Sequence, residues 1–296
     1  MAAGFRKSIE LTTLILGCGF SGKAIASAFV GAGKTVIGTT RSAAKFGAIE
    51  ATGAKALAYD GTLTPDIDAA LLSATQLILS ISPDQGGDPV LPLLQNLKAS
   101  MPQLKWAAYL STVGVYGDHD GAWVDEETLC KPVSSRSIAR IEAEQQWQNL
   151  FDHAGIPLAV LRLSGIYGPG RNQIKTALEG NARRLVKPGQ MFNRIRVEDI
   201  AGATLFLANQ NRGGVFNITD DEPAPPQDVV AYACQLSGVA LPPEQDFATA
   251  ELTPMARSFY GENKKVSNAK IKDLGFQFQY PNYHVSLAQL SLTSGN

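Results

Sequence analysis

The chain has 296 residues, with 26 Lys and Arg against 27 Asp and Glu and a formal net charge of −1. That balance excludes the basic footprint of a nucleic-acid binder or of a protein held to an acidic membrane. A hydrophobic share of 45% and a charged share of 18% are those of an ordinary soluble globular chain. At this length roughly three quarters of the unfolded surface is buried without disulfide or metal staples.

The first element is a strand at Leu14-Ile15-Leu16, running into Gly17-Cys18-Gly19-Phe20-Ser21-Gly22 and then a helical stretch from Lys23 to Val30. This is G-x-G-x-x-G between a strand and a helix, the context in which the pattern binds a dinucleotide pyrophosphate. Gly17 makes the tight turn, Gly19 lets the backbone approach the phosphates, and Gly22 lets helix and strand pack closely. The N–H groups at the helix start then face the anion. Ala24, Ile25, Ala28 and Phe29 give that helix one apolar face, and Gly31 and Gly33 end it. A second strand follows at Thr35–Thr40, closing a right-handed βαβ unit in about thirty residues.

Further strands are predicted at Ala56–Tyr59, Gln76–Ile81, Trp106–Leu110 and Leu158–Leu163, separated by helical stretches of which 134–154 is the longest. The alternation predicts an α/β fold, a doubly wound parallel sheet. Ligands of such sheets sit at the C-terminal strand ends. Around one crevice this places Gly17, Gly19, Phe20, Ser21 and Gly22, then Thr40, Arg41 and Ser42, Asp60, Ser80, Ser111 and Thr112. After Tyr167 the texture changes to Pro-, Gly- and Asn-rich segments with short helices. The expected division is a dinucleotide-binding domain over 10–168 with a return segment at about 193–218. A smaller substrate lobe takes 169–192 and 219–296.

Cys18, Cys130 and Cys234 are odd in number and widely spaced, which argues against a disulfide framework and against zinc. Cys18 is either a redox-sensitive thiol or, the favoured reading, a small buried filler of the loop. His119, His153 and His284 form no ligand pair, so no metal is expected. Arg6-Lys7 precede apolar residues in the manner of a signal peptide, but Glu10 interrupts and the apolar run ends in the glycine loop. No stretch reaches transmembrane length. The expected compartment is the cytosol, with neither membrane nor nucleic acid as partner.

The second strand also bears on which nicotinamide cofactor is held. A fold that prefers NAD ends this strand with Asp or Glu, which accepts hydrogen bonds from the ribose 2′-OH. Here it ends Thr39-Thr40-Arg41-Ser42, with no carboxylate. The Arg fork donates two hydrogen bonds to a phosphate, so NADP is expected in preference to NAD. The alternative is that Arg41 is a solvated surface charge.

With these blocks the chain resembles the extended short-chain dehydrogenase/reductase superfamily, of the NAD-dependent epimerase/dehydratase type. The resemblance is carried by Gly17 to Gly22, by Ser111-Thr112-Val113-Gly114-Val115-Tyr116-Gly117 and by the segment from Leu161 to Gly170. Ile195 to Ile200, Val215 to Ile218 and Lys264 to Asn268 match later blocks. It implies chemistry by a Ser or Thr, a Tyr and a Lys. Thr112 takes the Ser/Thr position, or is a strand-end threonine with a structural hydrogen bond. Arg136 stands where Tyr belongs and Arg140 where Lys belongs. Arginine stays protonated and has no acceptor, so it cannot cycle a proton as a tuned phenol does.

Arg140 is therefore read as a fixed cation for ribose or phosphate oxygens, and Arg136 as a group for an anionic substrate. The plain alternative is that Arg136, Arg140 and Glu144, spaced i, i+4 and i+8, form a salt-bridged helix face. Tyr116, Asp118, His119, Ser134, Ser135 and Tyr167 also fall near the crevice, with packing favoured for the two tyrosines and a surface loop for the histidine. Asp125, Glu126 and Glu127 read as a solvated turn. Arg183, Arg184 and Lys187 hint at an anion or form a solvated basic patch. The resemblance implies an NADP-dependent oxidoreductase or epimerase acting on a small polar substrate, anionic or a sugar nucleotide. The competing expectation is a non-catalytic, NADP-binding redox sensor or docking protein. Monomer and homodimer both stay open.

Overall fold

The computed structural model describes residues 11–84 and 86–293. Arg6, Lys7 and Glu10, on which the signal-peptide argument turns, lie outside the described residues. The main sheet has seven parallel strands: β1 (Thr12–Leu16), β2 (Thr35–Thr40), β3 (Lys55–Ala58), β4 (Gln76–Leu79), β5 (Trp106–Thr112), β6 (Leu158–Leu163) and β7 (Gly214–Ile218). Their order is β7-β6-β5-β4-β1-β2-β3. Chain progression therefore reverses direction between β1 and β4, which pair with Thr13 opposite Gln76 and Leu16 opposite Leu79. That reversal opens the crevice in which ligands of such sheets bind.

The helices that matter for the site are α1 (Phe20–Gly31), α2 (Pro65–Ser73), α3 (Ser135–Ala154), α4 (Gln173–Leu178), α5 (Val197–Asn209), α6 (Pro226–Ser237) and α7 (Tyr283–Thr293). Alternation along β1 sends Ile15 to one face of the sheet and Leu14 and Leu16 to the other. Ile15 joins Ile25 and Phe29 of α1 and Ile200 and Leu207 of α5 in one buried cluster. Leu14 and Leu16 join Leu71 of α2 and Trp147 and Phe151 of α3 in the second. Both faces of the sheet are thus covered, as a parallel sheet requires.

A separate apolar cluster unites Ile174 of α4, Val229 and Ala233 of α6 and Leu287 and Leu290 of α7. Within 219–296, however, Ile271 belongs to the sheet core, with Leu274, Phe276 and Phe278 packed against it. Three short parallel pairs tie distant segments together: Gly165–Tyr167 with Arg194–Arg196, Arg184–Val186 with Glu244–Asp246, and Trp123–Val124 with Lys265–Val266. Among the described residues no helix is long and apolar enough to cross a membrane.

Candidate active site

Each glycine of the loop has its own surroundings. Gly17 sits at φ +92°, and a Cβ there would lie 2.8 Å from Ile81 Cγ1 and 3.0 Å from the Ile81 nitrogen. A Cβ on Gly22 would lie 3.0 Å from the Gly17 carbonyl oxygen and 3.4 Å from Ile15 Cγ2, the close helix–strand approach. Around Gly19 nothing lies within 4 Å of the Cβ position. Gly19 is also the N-cap of α1, which no side chain caps and whose first turn holds no carboxylate. The loop is tied to β2 by Gly17 N–H donating to Thr39 Oγ1 (2.9 Å) and Cys18 N–H to the Thr39 carbonyl (2.7 Å). Cys18 is buried against Gly38, and burial pushes its thiol up to about 11. That environment is the loop filler's, not a redox sensor's. Ser21 is buried, and Phe20 is half-buried with the Arg171 guanidinium 5.6 Å from its ring centre.

Thr40 is half-buried and Arg41 and Ser42 are exposed at the end of β2. Among the described residues Arg41 has no hydrogen-bond or ion-pair partner. Asp60, exposed just beyond β3, accepts from the Thr62 N–H at 3.0 Å, and that hydrogen bonding holds its carboxyl below the usual range. The half-buried Ser80 follows β4 and donates its N–H to the Leu16 carbonyl at 2.9 Å. These residues surround the loop at the sheet's C-terminal edge.

Beside them lies a cleft of about 1820 Å³, lined by Thr112, Gly114, Ser134 to Ser137, Arg140, Ser164 and parts of the C-terminal segments. Thr112 Oγ1 accepts from the Gly114 N–H at 3.1 Å, capping a short turn while still lining the cleft. The structural hydrogen bond expected of a strand-end threonine is thus present, at a residue that also lines the cleft. A Cβ on Gly114 would stand 3.0 Å from Ser137 Oγ and 3.4 Å from Thr112 Oγ1, so the missing side chain lets two hydroxyls converge. Arg140 donates to the Leu110 carbonyl (2.7 Å), Ser82 Oγ (2.9 Å) and the Tyr109 hydroxyl (3.3 Å). It stands as a fixed cation across the ends of β4 and β5. Ser82, Ser137 and Ser164 were not singled out from the sequence: Ser82 reads as a loop residue, Ser137 as a helix-start residue, and Ser164 is one position within a matched block with no role attached to it.

Several expectations are corrected. Ser111 was expected at the cofactor, but it is buried, its hydroxyl donates to Glu144, and it does not line the cleft. The Arg136–Arg140–Glu144 ladder does not exist. Glu144 is 1% exposed and pairs with Arg162 at 2.9 Å, because α3 turns that face onto the sheet. Arg162 extends the network to the Tyr116 hydroxyl (3.0 Å), which donates to Asn217 Oδ1 at 2.7 Å. Burial pushes Tyr116 up to about 12, so it is a structural phenol.

Glu126 is not a solvated turn residue. It is half-buried and accepts the Asn217 N–H at 2.7 Å, and burial raises its carboxyl. His119 takes the loop role, its Nε2 3.0 Å from the Tyr116 carbonyl. Arg183, Arg184 and Lys187 are not a free basic patch. Arg183 donates to Gln245 Oε1 and the Glu251 carbonyl, Arg184 pairs with Glu244, and Lys187 donates to the Tyr260 carbonyl.

Arg136 is the contrast. It lines the cleft from the first turn of α3, is exposed, and among the described residues has no partner.

The comparisons accord with this geometry. The model of the NAD dependent epimerase/dehydratase family matches residues 90–219. A functionally unknown conserved protein from Silicibacter pomeroyi DSS is 46% identical, over 96% of this chain and 99% of that one, with a TM-score of 0.87. Protein YeeZ of Escherichia coli K12 is 28% identical over 283 residues, 90% of this chain and 95% of the relative. UDP-glucuronic acid 4-epimerase from Bacillus cereus, solved in complex with NAD, is 18% identical and shares the fold at a TM-score of 0.75, over 97% of this chain and 99% of that one. Residues 90–219 thus carry the match to the NAD dependent epimerase/dehydratase family, and the whole chain has the fold of the solved epimerases and dehydratases of that kind.

Proposed function

We propose that the chain binds NADP in preference to NAD and works on a small polar substrate as an oxidoreductase or epimerase. In this reading residues 10–168 and the return segment 193–218 hold the dinucleotide, and 169–192 with 219–296 shape the substrate side. The observation that carries the proposal is the open position at Gly19 beside the uncapped start of α1. Backbone N–H groups and the helix dipole there suit a pyrophosphate. Arg41, without a partner among the described residues, suits the 2′-phosphate, and Asp60 and Ser80 flank the same edge. When bound, the nicotinamide supplies a hydride donor or acceptor.

The protein's own part is positioning. Thr112 presents a hydroxyl to a substrate oxygen in the cleft, and Arg140 holds a permanent positive charge over the strand ends. Neither replaces a phenol that exchanges protons near neutral pH. The relative from Bacillus cereus acts on a sugar nucleotide, and a compound of that kind is one candidate substrate. The test is to follow NADPH absorbance with purified protein and a panel of carbonyl compounds. Turnover should fall by about tenfold or more in Thr112→Val, the loss of one directed hydrogen bond in the transition state. Unchanged activity in that variant means the site is misplaced.

A second reading has its own observation. Arg140 is committed to three protein groups, and the one phenol among them, Tyr109, is fully buried and held protonated by that burial, which suits a protein that holds NADP without turning it over. Robust turnover lost with Thr112→Val contradicts this reading.

A further inference from the structure

We propose that the first turn of α3 is the receptor for an anionic oxygen group on the substrate, so that the substrate class is a small organic acid or phosphate ester. The inference rests on the cleft being the substrate site. Four observations carry it. First, Arg136 is a cation in the first turn of a 20-residue helix, where the dipole opposes it and where no carboxylate is present. Second, it lines the cleft and has no partner among the described residues. Its expected partner Glu144, two turns further along the helix, is buried and paired with Arg162 instead.

Third, the turn is surrounded by hydroxyls. Ser134 caps the helix by accepting the Ser137 N–H at 3.1 Å and donates to Ser137 Oγ at 2.9 Å. Ser137 Oγ in turn lies against the Gly114 gap shared with Thr112. Fourth, and independently, Ser164 lines the same cleft at 5% exposure, and among the described residues its Oγ has no hydrogen-bond partner. Its chain neighbour Leu163 is in register with Thr112 across β5 and β6, so Ser164 lies at the strand edge beside the Thr112 turn. A buried hydroxyl without a partner loses its hydration uncompensated unless something enters to pair with it. A forked cation, a helix N-terminus and a spare hydroxyl at one edge suit a carboxylate or phosphate, and none of the three suits a neutral sugar hydroxyl in preference.

The experiment uses the full chain saturated with NADPH, titrated by calorimetry with pyruvate, inorganic phosphate and acetone, the last as the neutral carbonyl. The expected result is that pyruvate or phosphate binds and acetone does not, the stronger of the two telling carboxylate from phosphate. Arg136→Gln should weaken the binding about tenfold or more, and Arg136→Lys should restore only part of it. Ser164→Ala should weaken it less. NADPH affinity, measured alongside by fluorescence, should be unchanged in all three. Arg136 is exposed, so its variants test binding without disturbing the core. If NADPH binds but neither anion does, or if Arg136→Gln binds them as the wild type does, the inference is overturned while the cofactor site stands. If NADPH itself does not bind, the functional reading on which the inference rests falls with it.

Discussion

At the residue scale, Gly17 and Gly19 separate folding from binding. Gly17→Ala places a side chain at φ +92° against Ile81 and should lower Tm and NADPH affinity together. Gly19→Ala meets open space and should leave Tm near the wild-type value while weakening NADPH binding, as thermal melts and fluorescence titration would show. The glycine roles were legible because a strand, a tight turn and a helix start are local in sequence. Cys18 gives a pH test. Its thiol moves from 9.0 to about 11 on folding, so the folded protein holds this proton where the unfolded chain has lost it. Stability from Cys18 is complete below pH 9 and is lost as pH rises through about 11. Cys18→Ala should flatten that fall in urea titrations, and in the wild type the Cys18 peptide should resist alkylation at pH 8 until the chain unfolds.

At the scale of elements, α3 has three jobs along one stripe of residues spaced four apart. Arg136 faces the cleft, Arg140 crosses the ends of β4 and β5, and Glu144 is buried with Arg162 and Ser111. The i, i+4 spacing could not reveal this, because a spacing rule assumes that the whole helix face sees water. Which face meets the sheet is decided by packing of Trp147 and Phe151 against the core. Removing one partner of the buried pair should be costly. Glu144→Ala should destabilise by about 3–5 kcal/mol in chemical denaturation, since it strands the Arg162 cation. Arg41→Ala, at an exposed position, should stay within about 0.5 kcal/mol of wild type. Element bounds show the same division between local and tertiary. Thr35–Thr40 and Leu158–Leu163 form as read, whereas α1 begins at Phe20, three residues before Lys23, because the loop runs directly into the helix.

At the scale of the whole molecule, seven strands and two helical layers place the glycine loop and the cleft on one sheet edge. The seventh strand was legible only as a family block around Val215 to Ile218. Pairings such as Trp123 with Lys265 were not legible at all, since chain closure over long separations creates them. A ligand that binds only the folded chain stabilises it by mass action, so NADPH at about a hundred times its Kd should add about 2.7 kcal/mol to unfolding. The central claim is that this edge holds a 2′-phosphorylated dinucleotide through the loop and Arg41. It is tested most directly by measuring NADPH and NADH affinities for the wild type and for Arg41→Ala. The account predicts tighter binding of NADPH by the wild type and loss of most of that difference in the variant. Equal affinities in the wild type, or a preference that survives Arg41→Ala, would contradict it.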